Sequence, residues 1–133
     1  MNVLFVCVQN AGRSQMAEAL VRRAAGRTHD ARSAGSAPAA RVHPEVVEVM
    51  DELGVDLSTR VPRQLVRANA EWADVIVTMG CGDACPYIPG KRYLDWELDD
   101  PSGKSLAETR AIRDEISARV EALIADLDQK PPA

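Results

Sequence analysis

The stretch LFVCVQNAGRS, Leu4 to Ser14, decides the fold. It belongs to a short apolar run, Val3-Leu4-Phe5-Val6, biased toward β-branched residues, which then meets Cys7, five loop residues, Arg13 and Ser14. The residues that follow, Gln15 to Ala25, carry apolar side chains at helical spacing. The pattern predicts a buried strand ending at a cysteine, a tight loop, and a helix that begins near Gly12 and Arg13. A thiol in that place sits at the carboxyl end of a strand and beside a helix N-terminus. Unpaired N–H groups and the helix dipole there favour a thiolate and a bound oxyanion.

Outward from this stretch, strands and helices alternate. The first strand is expected at Asn2 to Val6 and the first helix at Gly12 to Ala25. Met16, Leu20 and Val21 form that helix's apolar stripe, and Gly26 is its stop. A second strand is expected at Thr28 to Ser33, then a turn-rich loop to Pro44. A helix follows from Pro44 to Leu53, then a helical stretch at Gln64 to Trp72, a buried strand at Asp74 to Met79 and a short strand at Arg92 to Leu94. A long amphipathic helix is expected at Leu106 to Leu127, followed by a frayed tail. Such alternation predicts an α/β fold, a parallel sheet with helices on both faces. Right-handed crossovers bring the carboxyl ends of the strands to one edge, so Cys7 and Cys81, each following a strand, belong together there.

The 133 residues are expected to form a single domain, 1–133. A hydrophobic content of 46% with 27% charged residues is that of a globular chain and argues against disorder. A net charge of −4 argues against general affinity for nucleic acid or an anionic membrane, so any anion site must be built locally. With no long apolar segment and no basic leader, a cytoplasmic protein without a membrane partner is expected. Three cysteines in a reducing compartment favour catalytic, redox or metal roles over a disulfide framework.

Three constellations carry chemistry. In the first, the loop Val8, Gln9, Asn10, Ala11 and Gly12, with Arg13 and Ser14, can wrap a tetrahedral oxyanion. Inward N–H groups and the guanidinium fork bind the oxygens, and Cys7 below acts as nucleophile. Ser14 can donate to the thiolate, Asn10 can hold the loop, and Gly12 permits a positive φ or a close approach. The plainer alternative is a buried cysteine beside an exposed arginine. The second is Asp99-Asp100-Pro101, which on its own reads as a solvated turn. The third is Cys81 and Cys85, readable as a redox pair, half a metal site or two incidental thiols. Cys-x3-Cys without further ligands is a weak zinc signal, and His29 and His43 are distant in sequence, so no metal is expected. Both histidines read as surface or loop residues, and Trp72 and Trp96 as packing aromatics near loop bases.

VLFVCVQNAGRSQMAEA (Val3 to Ala19), SAGS (Ser33 to Ser36), VHPEVVEVMDELGVDLS (Val42 to Ser58), ADVIVTMG (Ala73 to Gly80) and DWELDDP (Asp95 to Pro101) resemble the low-molecular-weight protein tyrosine phosphatase family, and in particular its arsenate reductase branch. The resemblance implies a four-stranded parallel sheet flanked by helices. It implies that Asp100, immediately before proline, is the general acid that protonates a departing oxygen. It further implies that Cys7 forms a thiol–arsenate adduct, that Cys81 attacks Cys7 to release arsenite with a Cys7–Cys81 disulfide, and that Cys85 converts this to a Cys81–Cys85 disulfide. An external thiol reductant, thioredoxin, would reopen that bridge, with no bound cofactor and a monomeric enzyme. Three residues separate Cys81 from Cys85, fewer than in well-known thioredoxin-linked members. Gly82 allows a tight loop, so the Cα approach of about 6 Å that a disulfide needs is still possible.

Asn10, Ser14 and Glu18 match positions that bind potassium in some relatives. Where those relatives add an acidic residue, this chain has Leu65-Val66-Arg67, and Arg67 is a candidate to replace the cation's charge, so Glu18 reads instead as a polar residue orienting the loop. Alternatives to the thioredoxin-coupled reductase are a phosphatase of the same family, a mycothiol- or glutathione-linked reductase, and a non-catalytic anion sensor or phosphocysteine carrier. Ser102-Gly103, where the phosphatase branch has tyrosines, points away from the first.

Overall fold

The computed structural model describes residues 1–79 and 89–129. Cys81 and Cys85, and the loop expected around them, lie outside the described residues. The elements in chain order are β1 (Asn2–Cys7), α1 (Arg13–Ala25), β2 (Asp30–Gly35), α2 (Pro44–Asp51), α3 (Arg67–Trp72), β3 (Val75–Thr78), β4 (Arg92–Asp95) and α4 (Leu106–Gln129). The strands form one parallel sheet in the order β2-β1-β3-β4.

β1 is interior, paired on both sides, and its apolar run is covered on both faces, as a strand in a parallel sheet requires. Side-chain alternation divides the core in two. Val3, Phe5 and Cys7 of β1, with Val75 and Val77 of β3, pack under apolar residues of α1, α2 and α4. Leu4, Val6 and Ile76 face the other way, against Ala70 of α3 with Leu65, Trp72 and Tyr93. Helices therefore lie on both faces, three on one and the short α3 on the other. Cys7 belongs to the face covered by α1, which the chain enters after five intervening residues.

Several boundaries differ from the sequence expectation, each for a tertiary reason. β2 lies at Asp30–Gly35 rather than Thr28 to Ser33, because its register is set by β1, from Asn2 opposite Asp30 to Cys7 opposite Gly35. Thr28 and His29 instead close the turn after α1, both donating their N–H to the Ala25 carbonyl. Gln64 is not in the third helix but forms a single parallel bridge with Gly35, so α3 begins at Arg67. α4 runs on to Gln129, a residue assigned by sequence to the frayed tail.

His29 is buried rather than superficial. Its Nδ1 lies 3.2 Å from the Met1 ammonium and its Nε2 2.7 Å from Asp128 Oδ1, so it links the start of β1 to the end of α4. Trp96 packs against Phe5 with ring centroids 5.7 Å apart, at the base of the loop after β4. Arg113, 7% exposed, fastens α4 to α2 through the Val49 carbonyl and Glu52, which Arg110 also grips with two hydrogen bonds. Those two arginines, Arg110 foremost, hold the Glu52 carboxyl down to about 2. Among the described residues no helix is long and apolar enough to cross a membrane.

Candidate active site

Residues 8–12 connect the end of β1 to the start of α1, and their hydrogen bonding fixes which way the backbone faces. The Cys7 carbonyl accepts from Ser36 N–H, Val8 from Ala37, Gln9 from Ala39 and Ala11 from His43. The Asn10 carbonyl accepts from Gln15 Nε2, and the Gly12 carbonyl from Met16 N–H in the first turn of α1. Each carbonyl from Cys7 to Gly12 is thereby committed. Among the described residues the N–H groups of Val8 to Ser14 have no backbone partner. A loop with its acceptors tied off on one side and its donors free on the other can receive an anion.

Cys7 lies beneath this loop, 3% exposed, with Sγ 2.8 Å from Ser14 Oγ. Asn10 Nδ2 donates to the same Ser14 oxygen at 2.8 Å. With Ser14 Oγ accepting there, its own proton is free to point at the sulfur, which suits a thiolate. Asn10 has φ 50, the one positive value outside glycine among the described residues. Its strained backbone is held by its own side chain, whose Oδ1 accepts from Arg63 N–H at 2.8 Å and from Gln15 Nε2 at 3.1 Å. Asn10 and Ser14 are thus fully buried supports behind the loop, and their side chains do not form the cavity wall.

That cavity, of about 20 Å³, is lined by Cys7, the loop residues Val8, Gln9, Ala11 and Gly12, and by Arg13, His43 and Asp100. It has room for one small group rather than an extended ligand. Arg13 is the first residue of α1, with its side chain 12% exposed; it donates to the Leu98 carbonyl at 3.2 Å and approaches Asp100 Oδ2 at 3.9 Å. Asp100 is 59% exposed and comes from the loop between β4 and α4. Pro101 packs so closely on Gly12 that a Cβ at that glycine would stand 2.7 Å from its Cγ. Gly12 has φ −142, so of the two reasons for a glycine there, close approach is the one that applies. Its missing side chain is what lets the Asp-Pro turn reach the anion loop.

Cys7, Arg13 and Asp100 therefore converge. The remaining predicted site residues, Cys81 and Cys85, lie outside the described residues. His43, read from the sequence as a surface or loop residue, stands in the loop at the cavity wall; its signal as a site residue was the Val-His-Pro entrance to α2. Glu18 does not orient the anion loop directly. It is 1% exposed, accepts from Ser33 Oγ, and forms an ion pair with Arg60. The guanidinium beside it belongs to Arg60; Arg67 pairs with Glu71 on the exposed side of α3. Among the described residues no cluster of His, Cys, Asp and Glu is arranged to hold a metal ion.

The family model described as low molecular weight phosphotyrosine protein phosphatase matches residues 2–133. A solved thioredoxin-dependent arsenate reductase from Corynebacterium glutamicum is 45% identical and superposes with a TM-score of 0.84, covering 96% of this chain. This chain spans 61% of that longer one. A glutaredoxin arsenate reductase from a Synechocystis strain is 36% identical over 128 residues, covering 94% of this chain and 97% of the relative. A structure described as an arsenate reductase in the phosphate binding state is 35% identical, with a TM-score of 0.83 over 94% of this chain and 97% of that one. With the parallel sheet, the cysteine at the end of β1 and the anion loop before α1, these matches agree on one assignment: the chain belongs to the low molecular weight phosphotyrosine protein phosphatase family.

Proposed function

We propose that this chain is an arsenate reductase, a single domain acting as a cytoplasmic monomer in arsenic detoxification. The observation that carries the reading is the position of Cys7. Its sulfur lies under a cavity whose inward groups are backbone N–H donors and a guanidinium, with a carboxyl group at the mouth. The Cys7 thiolate attacks arsenic. An oxygen leaves as water after Asp100 supplies its proton, giving an S–As bond with arsenic still pentavalent.

The Cys81 thiolate then attacks the Cys7 sulfur. The electron pair of the S–As bond passes to arsenic, and arsenite leaves while a Cys7–Cys81 disulfide forms. Cys85 attacks Cys81, returns Cys7 as a thiolate and leaves a Cys81–Cys85 disulfide. The dithiol of thioredoxin takes over that disulfide and resets the enzyme. The relatives named as thioredoxin-dependent and phosphate-binding arsenate reductases support both the substrate and the reductant.

Arsenate turnover with thioredoxin, thioredoxin reductase and NADPH, each cysteine replaced in turn, tests the scheme. Cys7→Ser is expected to release no arsenite, and Cys85→Ala to stop after one turnover. Sustained turnover by Cys85→Ala would overturn the relay. A second reductant is favoured by the relative named as a glutaredoxin arsenate reductase. Mass spectrometry of the oxidised enzyme separates the two routes: an internal Cys81–Cys85 bridge supports thioredoxin, and a mixed disulfide with a small thiol supports glutathione or mycothiol. The family match also favours measuring p-nitrophenyl phosphate hydrolysis beside arsenate reduction, since the same loop and acid serve a phosphatase.

A further inference from the structure

His43 has a fully committed backbone and an uncommitted ring. Its N–H donates to the Ala11 carbonyl at 2.9 Å, and its own carbonyl accepts from Val46 and Val47 at the start of α2. Its φ and ψ of −59° and 136° are what the following proline demands. The side chain makes no capping bond to α2, and among the described residues neither ring nitrogen has a hydrogen-bond partner. The ring nonetheless stands at the site. Its Cδ2 stands 3.6 Å from where a Cβ on Gly12 would be, and it forms part of the cavity wall with Cys7, Arg13 and Asp100.

The charges around that cavity are unequal. A tetrahedral dianion bound over a Cys7 thiolate places two negative groups side by side in the cavity. Among the described residues lining the cavity, Arg13 is the one permanent cation. Histidine is the side chain whose ordinary charge change falls between about pH 5 and 8. The chain has two histidines, and His29 is occupied at the amino end of β1, the opposite edge of the sheet. The groups sharing the cavity with His43 are Arg13 from α1, Cys7 from β1 and Asp100 from the loop before α4.

We propose that His43 is an oxyanion-binding residue whose protonated ring contacts the anion from the α2 side, so that affinity for a tetrahedral dianion rises as pH falls through neutrality. This rests on reading the cavity as an oxyanion site, and it adds a second, switchable cation to the permanent one at Arg13.

Sulfate is the probe, because it keeps its double charge across the range in which arsenate and phosphate change theirs. The full-length Cys7→Ser, Asp100→Asn protein removes the other titrating side chains of the cavity. Its sulfate dissociation constant, measured by calorimetry, is expected to tighten about tenfold between about pH 8 and about pH 5.5, the effect of roughly one moderate charge contact. His43→Gln in that background is expected to hold the weaker value at both pH values, and His43→Lys the tighter value at both. Since the ring caps nothing, neither replacement removes a structural hydrogen bond. A pH dependence that survives in His43→Gln, or none in the background protein, overturns the inference while leaving the oxyanion site intact. Absence of sulfate binding at either pH, with Arg13→Ala making no difference, overturns the oxyanion reading and this inference with it.

Discussion

The two loops that meet over Cys7 are held in opposite ways. Residues 8–12 have each carbonyl tied to a neighbouring segment, with Asn10 at 0% exposure beneath them. The loop bearing Asp100 is rooted in the core by Trp96 and Leu98, but Asp100 itself, a carboxylate that is 59% exposed, is held by an ion pair of 3.9 Å, beside the Leu98 carbonyl bond and the contact of Pro101 with Gly12. An exposed ion pair is worth about 0–1 kcal/mol, so losing the Asp100 contact costs little, whereas deforming the first loop breaks several buried hydrogen bonds. The backbone around the Cys7 cavity is fixed from behind, and Asp100 is held at its mouth by contacts near the surface.

The contrast can be broken at either end. The largest effect is expected from Asp100→Asn, which should reduce the rate of adduct formation by on the order of 10²–10⁴ with no loss of thermal stability, as single-turnover kinetics and melting curves will show. An unchanged rate would mean that the acid is elsewhere. Gly12→Ala drives a Cβ into Pro101 and displaces the acid loop while leaving the anion loop's hydrogen bonds intact. It should cost about 10² in turnover, the scale of a misplacement near 1 Å, with the protein still binding arsenate.

Gly35→Ala attacks the other loop, because its Cβ would meet the Val8 carbonyl oxygen at 2.5 Å and the Asn10 nitrogen at 2.8 Å. Here denaturant titration should show a loss of about 1–3 kcal/mol together with weaker anion binding. Equal stability of the two glycine variants would abolish the distinction between the loops. The smallest effect lies away from both. Glu52 titrates at about 2 in the folded chain through Arg110 and Arg113, below the ordinary glutamate value of 4.5. A depressed carboxylate contributes stability above its unfolded value and loses it as pH falls. The melting-temperature advantage of the wild type over Glu52→Gln should therefore be full above about pH 4.5 and vanish toward pH 2. A constant difference across that window would show that the Glu52 pairs do not couple to folding.

Much of this was legible in the chain because it is local. The apolar run at Val3 to Val6, the position of Cys7 and the Arg13 that opens α1 all follow from periodicity and spacing within one short stretch. What failed to show depends on contacts between distant segments. The two-residue offset of β2 comes from its pairing with β1, and His43 becomes a wall of the site only through its bond to the Ala11 carbonyl. The family resemblance pointed to Arg67 near Glu18, whereas the fold brings Arg60 there and leaves Arg67 on the surface. Asp100 was read from family resemblance, since an Asp-Asp-Pro turn alone carries no sign of the arginine it will face. His29 looked superficial because nothing nearby in sequence announces Asp128.

The outward tethering of the anion loop has a consequence for isotope exchange. Protected amides are ordinarily those in ordered structure, and fast-exchanging ones belong to segments that open. The N–H groups of Val8 to Arg13 separate these two properties, for they are anchored from behind yet have no backbone acceptor in front. In deuterated solvent they should exchange quickly despite their order. An oxyanion in the cavity would slow them together, so the loop would report its own occupancy without any change of shape.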